Sequence, residues 1–172
     1  MVTEEETIMG KGRTPLIAGI FALVLMVMPA QAQDFNEGVR AYNRGDYETA
    51  LSAFRPLAEQ GHASAQYNLG VMYRNGKGVA QDYREAVRWY RLAAEQGDAS
   101  AQYNLGVMYA NGEGMAQDYI TAHVWLNIAA ANGNTKASEN RDIAASHLSG
   151  DVLIEAQRLA RQCLNSNYQN CP

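Results

Sequence analysis

The chain is poor in the residues that usually carry chemistry. Its 172 residues include two cysteines, three histidines and four prolines. No pair among His62, His123 and His147 has the i, i+4 spacing that puts two imidazoles on one helix face for a metal. Ser-x-x-Lys, Gly-x-Ser-x-Gly and His-Glu-x-x-His are all missing, so no serine nucleophile or zinc-hydrolase signature is present. Dense Lys/Arg clusters are lacking too, and the formal charge is −4. That balance argues against nucleic acid as a partner, since phosphate neutralisation needs clustered cations. Strand-like alternation is absent throughout.

Long apolar runs are lacking after residue 28, which gives the run before it a distinct meaning. Leu16 to Met28 reads LIAGIFALVLMVM, follows Lys11 and Arg13, and precedes Pro29-Ala30-Gln31-Ala32. This is the charged, apolar and small-x-small order of an export signal, with cleavage expected after Ala32. An uncleaved anchor is the alternative, but the run rises only about 20 Å as a helix, short of a bilayer core of roughly 30 Å. The acidic start MVTEEETI is unusual before such a signal, and Met9 is a second candidate start. The mature product is expected to be periplasmic or secreted, mildly acidic and free of the membrane.

Both cysteines fall in the last segment, CLNSNYQNC, at Cys163 and Cys171. In an exported chain two thiols this close are expected to form a structural disulfide. Closing the short loop would remove roughly 2.5 kcal/mol of unfolded-state entropy. Two thiols without a nearby histidine do not make a metal site.

What is present is a repeat. Ala58–Ala93 laid over Ala94–Ala129 matches at most positions, and ASAQYNLGVMY occurs unbroken at Ala63–Tyr73 and at Ala99–Tyr109. A fixed period of this kind means stacked units. Ala65, Leu69, Tyr73 and Ala101, Leu105, Tyr109 fall at i, i+4, i+8, one apolar stripe per helix. Gly70 and Gly106 interrupt those helices at a cost of about 1 kcal/mol relative to alanine, which close helix contact would offset. A second helix follows each, opened by Asp82 (with Glu85 placed for a capping box) and by Asp118. Ala86, Trp89, Ala93 and Ala122, Trp125, Ala129 form its inward stripe. Gly97 and Gly133 end it, followed by Asp98 and Asn134 as new cap candidates.

The glycine loop Gly76-Lys77-Gly78 poses a question of its own: does it hold phosphate or turn the chain? A phosphate loop has four residues between its first glycine and Gly-Lys and follows a strand. Here the spacing is wrong, the loop follows a helix, and Glu113 replaces the lysine in the second copy. The expected role is a turn with positive-φ glycines, with Val79 and Met115 tucked beneath it.

The pattern Ala-x3-Leu-Gly-x2-Tyr-x2-Gly-x-Gly-Val/Met-x2-Asp-x3-Ala-x2-Trp-x3-Ala-Ala-x2-Gly, at residues 65–97 and 101–133, resembles the Sel-one-like repeat (SLR) family. That family is a branch of the tetratricopeptide superfamily. Phe35–Gly61 resembles an ordinary tetratricopeptide hairpin, although Pro56 should kink its second helix. Asn134–Leu148 and Asp151–Leu164 read as a degenerate terminal pair. The resemblance implies an all-α, right-handed solenoid of about four antiparallel helix pairs, near 34–61, 62–97, 98–133 and 134–172, after a signal at 1–32.

In such solenoids the first helix of each pair lines a concave groove where partners bind. The matching positions here are Tyr67, Val71, Arg74 and Asn75, then Tyr103, Val107, Ala110 and Asn111. Rings beside amides suit an unidentified protein or peptide, with no cofactor and no metal. Tyr67 and Tyr103 would serve equally well as packing between repeats, and the sequence leaves both roles open. A non-enzymatic interaction module is the leading expectation. The alternative is a cell-wall-active or penicillin-binding hydrolase, because cysteine-rich exported members of the family have been linked to penicillin-type ligands. Those members carry a cysteine pair in every repeat, unlike this chain.

One further contrast separates the two copies. Arg84, Arg88 and Arg91 share a helix face, either as an anionic docking stripe or as a solvated surface. Ile120, Val124 and Asn127 replace them in the second copy. That helix is therefore expected to be covered, by the C-terminal helices or by another copy of the chain.

Overall fold

The computed structural model describes residues 34–172, so the expected leader and its cleavage site lie outside the described residues. The described residues hold eight helices and no strand. They are α1 (34–44), α2 (Tyr47–Glu59), α3 (Ala63–Asn75), α4 (Tyr83–Ala94), α5 (Ala99–Asn111), α6 (Tyr119–Ala131), α7 (Ala137–Ser146) and α8 (Gly150–Asn165). Each helix from α2 to α6 packs on the next, the arrangement of a tetratricopeptide-like α-solenoid.

Aspartates start the helices as the sequence implies. Asp46, Asp82, Asp98 and Asp118 each accept hydrogen bonds from backbone N–H groups two or three residues on. The capping box at Asp82 is only half formed. Glu85 turns away to Arg88 at 2.9 Å, while the Asp82 N–H donates back to the Tyr73 carbonyl at 3.0 Å, tying α4 to α3. In the second copy the Thr121 hydroxyl donates to Asp118 Oδ2 at 2.8 Å and completes the cap from the other direction. Asn134 acts two residues early, accepting from Lys136 N at 3.1 Å before α7 begins at Ala137. His62 makes no cap bond, and its ring stacks on Phe35 at 5.1 Å. Pro56 does not end α2, which continues to Glu59. The carbonyl that Pro56 leaves without a donor belongs to Ser52, which is exposed, so water can serve it.

The helix glycines mark close approach. A Cβ on Gly70 would lie 2.6 Å from the Tyr90 ring, and one on Gly106 would lie 2.7 Å from Leu126 Cγ. The loop glycines also have a packing reason. Gly78 (φ 72°) and Gly114 (φ 79°) lie against the first turn of the preceding second helix, where a Cβ would meet the Tyr47 oxygen at 2.8 Å and the Tyr83 oxygen at 2.6 Å. Lys77 sits over the Tyr47 ring at 5.1 Å, so the loop is a clasp between units.

A polar ladder runs through the interior. Gln66 donates to the Ala58 carbonyl at 3.1 Å and accepts from Gln96 at 2.7 Å; Gln102 donates to the Ala94 carbonyl at 3.0 Å and accepts from Asn132 at 2.8 Å. Both glutamines are buried, and each adds a side-chain donor to a helix-end carbonyl that also accepts from a glycine N–H, that of Gly61 at 3.0 Å for Ala58 and that of Gly97 at 3.0 Å for Ala94.

The last unit opens out. α7 and α8 make little contact with one another, and each packs on α6 instead. Thr121 to Leu126 are consequently all buried. The small residues Ala156, Ala160 and Cys163 let α8 approach closely, and Val124 is fully buried in the same core as Ala160 and Cys163. Of the two coverings expected for α6, the chain's own C-terminal helix is the one found. A homo-oligomeric interface through Ile120 and Val124 is corrected accordingly, because Val124 is not available to a second copy. Cys163 and Cys171 are joined as a disulfide, with Cα atoms 4.9 Å apart. Trp125 Nε1 donates to the Pro172 oxygen at 3.0 Å, which anchors the tail on α6.

Candidate partner-binding surface

The first helices of successive units, α3, α5 and α7, present the side chains the sequence pointed to, but they do not form one continuous row. Tyr67 and Tyr103 face a shared open cavity of about 510 Å³, completed by Ser100, Asn104 and the α6–α7 turn around Asn134 and Lys136. Tyr67 is half-buried, and its ring centroid lies 6.0 Å from that of Tyr90 in the core. Burial, and then the charge of Asp98, raise the pKa of its hydroxyl, so it stays protonated as a donor. One side of this tyrosine packs toward the core and the other lines the cavity.

Val107, Ala110 and Asn111 lie on a second, smaller cavity of about 120 Å³ with Tyr119, Ile143 and His147. Ile143 is 53% exposed, the position of a large apolar residue held open to solvent. His147 stacks on Tyr119 with ring centroids 4.1 Å apart. Asn140 of α7 borders this cavity and donates to Tyr103 Oη at 3.0 Å, so the two cavities meet at that hydrogen bond.

Arg74 does something the sequence did not indicate. Its Nε and Nη2 donate to the two carboxylate oxygens of Glu113 at 2.9 and 3.3 Å, and its Nη1 reaches Asn104 Oδ1 at 3.5 Å. Asn111 donates to the same carboxylate at 2.8 Å. Burial works against both charges, yet the pair outweighs it: Glu113 is held below the usual carboxylate value and Arg74 above its own. Two of the expected groove residues, Arg74 and Asn111, thus brace one repeat against the next. Val71 is half-buried against the core, and Asn75 is exposed beyond both cavities.

Sequence reasoning missed Asn104, Asn140, Ile143 and His147. Asn104 was legible as the repeat of Asn68. The other three lie on α7 or at its end, where the motif has decayed and no register was available to place them. The arginine stripe also dissolves. Arg88 lies over the Trp89 ring at 4.1 Å, and Arg91 donates to Tyr109 Oη and to the Pro172 oxygen. Among the described residues, no group of three or more His, Cys, Asp or Glu could hold a metal ion, and no helix is long and apolar enough to cross a membrane.

Comparison with known proteins agrees with this architecture. The Sel1 repeat family model matches residues 63–98 and 99–134. An exopolysaccharide production negative regulator from Rhizobium leguminosarum bv. viciae is 44% identical over 48 residues, 28% of this chain and 18% of the regulator. A solved protective antigen of uropathogenic Escherichia coli strains, which displays an SLR fold, superposes with a TM-score of 0.76 at 33% identity, covering 80% of this chain and 31% of the antigen chain. The chain therefore spans less than a third of the length of either protein. A Sel1 repeat protein from Oxalobacter formigenes superposes with a TM-score of 0.59 at 38% identity, covering 65% of this chain and 87% of that one. Sel1 repeat proteins are generally protein–protein interaction modules. With its two matched repeats, its solenoid fold and a relative covered over most of its length, the chain belongs to the Sel1 repeat family.

Proposed function

We propose that the chain is an exported, non-enzymatic interaction module that binds a protein or peptide across the face formed by α3, α5 and α7. One observation carries this reading: two adjoining cavities place half-buried rings, unengaged apolar surface and amides side by side. Rings supply apolar contact area at low entropic cost, and amides can pair with a peptide backbone. Ile143 would anchor an apolar partner side chain, with Tyr67 and Tyr103 contacting the chain on one side of it.

A photoreactive side chain placed at Tyr103 should give discrete adducts in cells that vanish when Tyr67 and Ile143 are replaced by alanine. Adducts unchanged by those replacements would sink the proposal. The hydrolase reading gains no support, since Cys163 is fully buried and bonded to Cys171. Export is supported by that disulfide and by the charged, apolar and small-x-small order of residues 11–32. N-terminal sequencing of the mature protein is expected to begin at Gln33. A product retaining the apolar run would show an uncleaved anchor instead.

A further inference from the structure

The splayed fourth unit leaves a gap over α6 that neither the repeat architecture nor the partner-binding face uses. The gap is a cavity of about 350 Å³ with one wall from each of α6, α7 and α8. Its α6 wall carries His123, only 3% exposed, whose Nδ1 is buried with no hydrogen-bond partner among the described residues. The same position in the preceding repeat is Val87, so packing alone is met by an aliphatic side chain. A buried imidazole nitrogen without a partner costs stability unless something occupies the site.

The remaining walls supply charge and amides. Arg161 of α8 projects from an exposed position and lines the cavity without an ion pair or hydrogen bond of its own among the described residues. Arg141 of α7 spends two of its donors on Asp142, through Nε and Nη2, and keeps its Nη1 donors. Asp142, the one acidic residue of the lining, is thus already paired and is largely in solvent, so the lining retains one net positive charge. Asn127 and Gln157 add amides that are unengaged among the described residues, and Leu153 gives an apolar wall.

We propose that this cavity binds a small organic monocarboxylate. The Arg161 guanidinium, with the free edge of Arg141, forks the carboxylate, because planar guanidinium donors match its two oxygens. The apolar body of the ligand lies against Leu153, and His123, its ring neutral with the proton on Nδ1, donates to the carboxylate from α6. The single net charge favours a monocarboxylate over phosphate. The donors belong to side chains of three different helices, so occupancy would lock α7 and α8 onto α6.

The test is a titration of the whole mature protein with acetate, butyrate, benzoate and 1-naphthoate, followed by NMR of the His123 ring and backbone amides. Benzyl alcohol and inorganic phosphate are the uncharged and non-planar controls. At least one carboxylate is expected to bind saturably and move the His123 resonances, with affinity reduced at least about tenfold in Arg161→Gln. Arg161 is exposed, so that variant should keep the wild-type melting curve. A His123→Val variant, followed by its backbone amides, should lose affinity less than Arg161→Gln does. No saturable shift with any carboxylate would overturn the proposal. So would equal binding of benzyl alcohol or phosphate, or an affinity untouched by Arg161→Gln.

Discussion

Replacing Gly106 by alanine should destabilise the protein, although alanine is the better helix former. On an open helix the exchange would gain about 1 kcal/mol. At Gly106 the new methyl would sit 2.7 Å from Leu126 Cγ, 3.1 Å from its Cδ2 and 3.2 Å from the Ala122 carbonyl oxygen. Leu126 is 1% exposed, so it has no solvent side to swing into, and the α6 backbone blocks the rest. Overpacking of this kind costs typically about 1–3 kcal/mol, and the backbone contact argues for the upper half. The net loss is therefore about 1–2 kcal/mol, or roughly 3–7 °C in melting temperature for a domain of this size. Gly150 offers an internal control: it opens α8, and a methyl group added there would meet nothing within 4 Å. Thermal melts followed by far-UV circular dichroism should show Gly150→Ala neutral or slightly stabilised and Gly106→Ala clearly lower. A Gly106→Ala protein more stable than the parent would refute close helix contact as the reason for the glycine.

Other consequences follow from single contacts. A double-mutant cycle on Arg74→Ala and Glu113→Ala should report a coupling of about 1–2 kcal/mol in urea titrations, because the pair is bidentate and about three-quarters buried. The exposed Arg158–Glu155 pair on α8 should show no measurable coupling in the same assay. Cys171→Ser should lower stability by up to about 2.5 kcal/mol and speed amide exchange in residues 164–172, whereas unchanged exchange would show the tail held by other contacts. His123 is held below the usual histidine value, first by burial and then by the charge of Arg141, with Asp142 opposing. A base depressed in the fold is protonated first in the unfolded chain, so stability should fall as pH drops below about 6.5. His123→Val should narrow the difference in unfolding free energy between pH 7.5 and pH 5.5, and an unchanged difference would refute the assignment.

Much of this fold was legible because the two matched repeats agree with one another. Gly70 and Gly106 could be assigned to close packing from the sequence alone, since a costly residue held at the same register in both units needs a common cause. The aspartate caps were readable for the same reason. The groove was less so. Spacing placed Arg74 and Asn111 on the correct helices, but it could not show that Glu113, 39 residues from Arg74, lies within hydrogen-bond reach. The exchange of Lys77 for Glu113 looked like the loss of a ligand-binding cation, whereas it supplies the acid for an inter-repeat brace. Gln66 and Gln102 passed unnoticed because a polar residue in a helix is ordinarily read as exposed; only the neighbouring helix ends reveal their burial. On α7 and α8 the motif is degenerate, and the splay that creates the His123 cavity depends on three helices at once.

The central claim is that the face of α3, α5 and α7 is where a partner binds. Its most direct test compares two photoreactive side chains in otherwise unaltered protein, one at Tyr103 and one at Leu92 of α4, which is exposed away from both cavities. The account predicts a discrete adduct from position 103, lost with Tyr67→Ala and Ile143→Ala, and none from position 92. Equal adducts from both positions, or an adduct from position 92 alone, would contradict it.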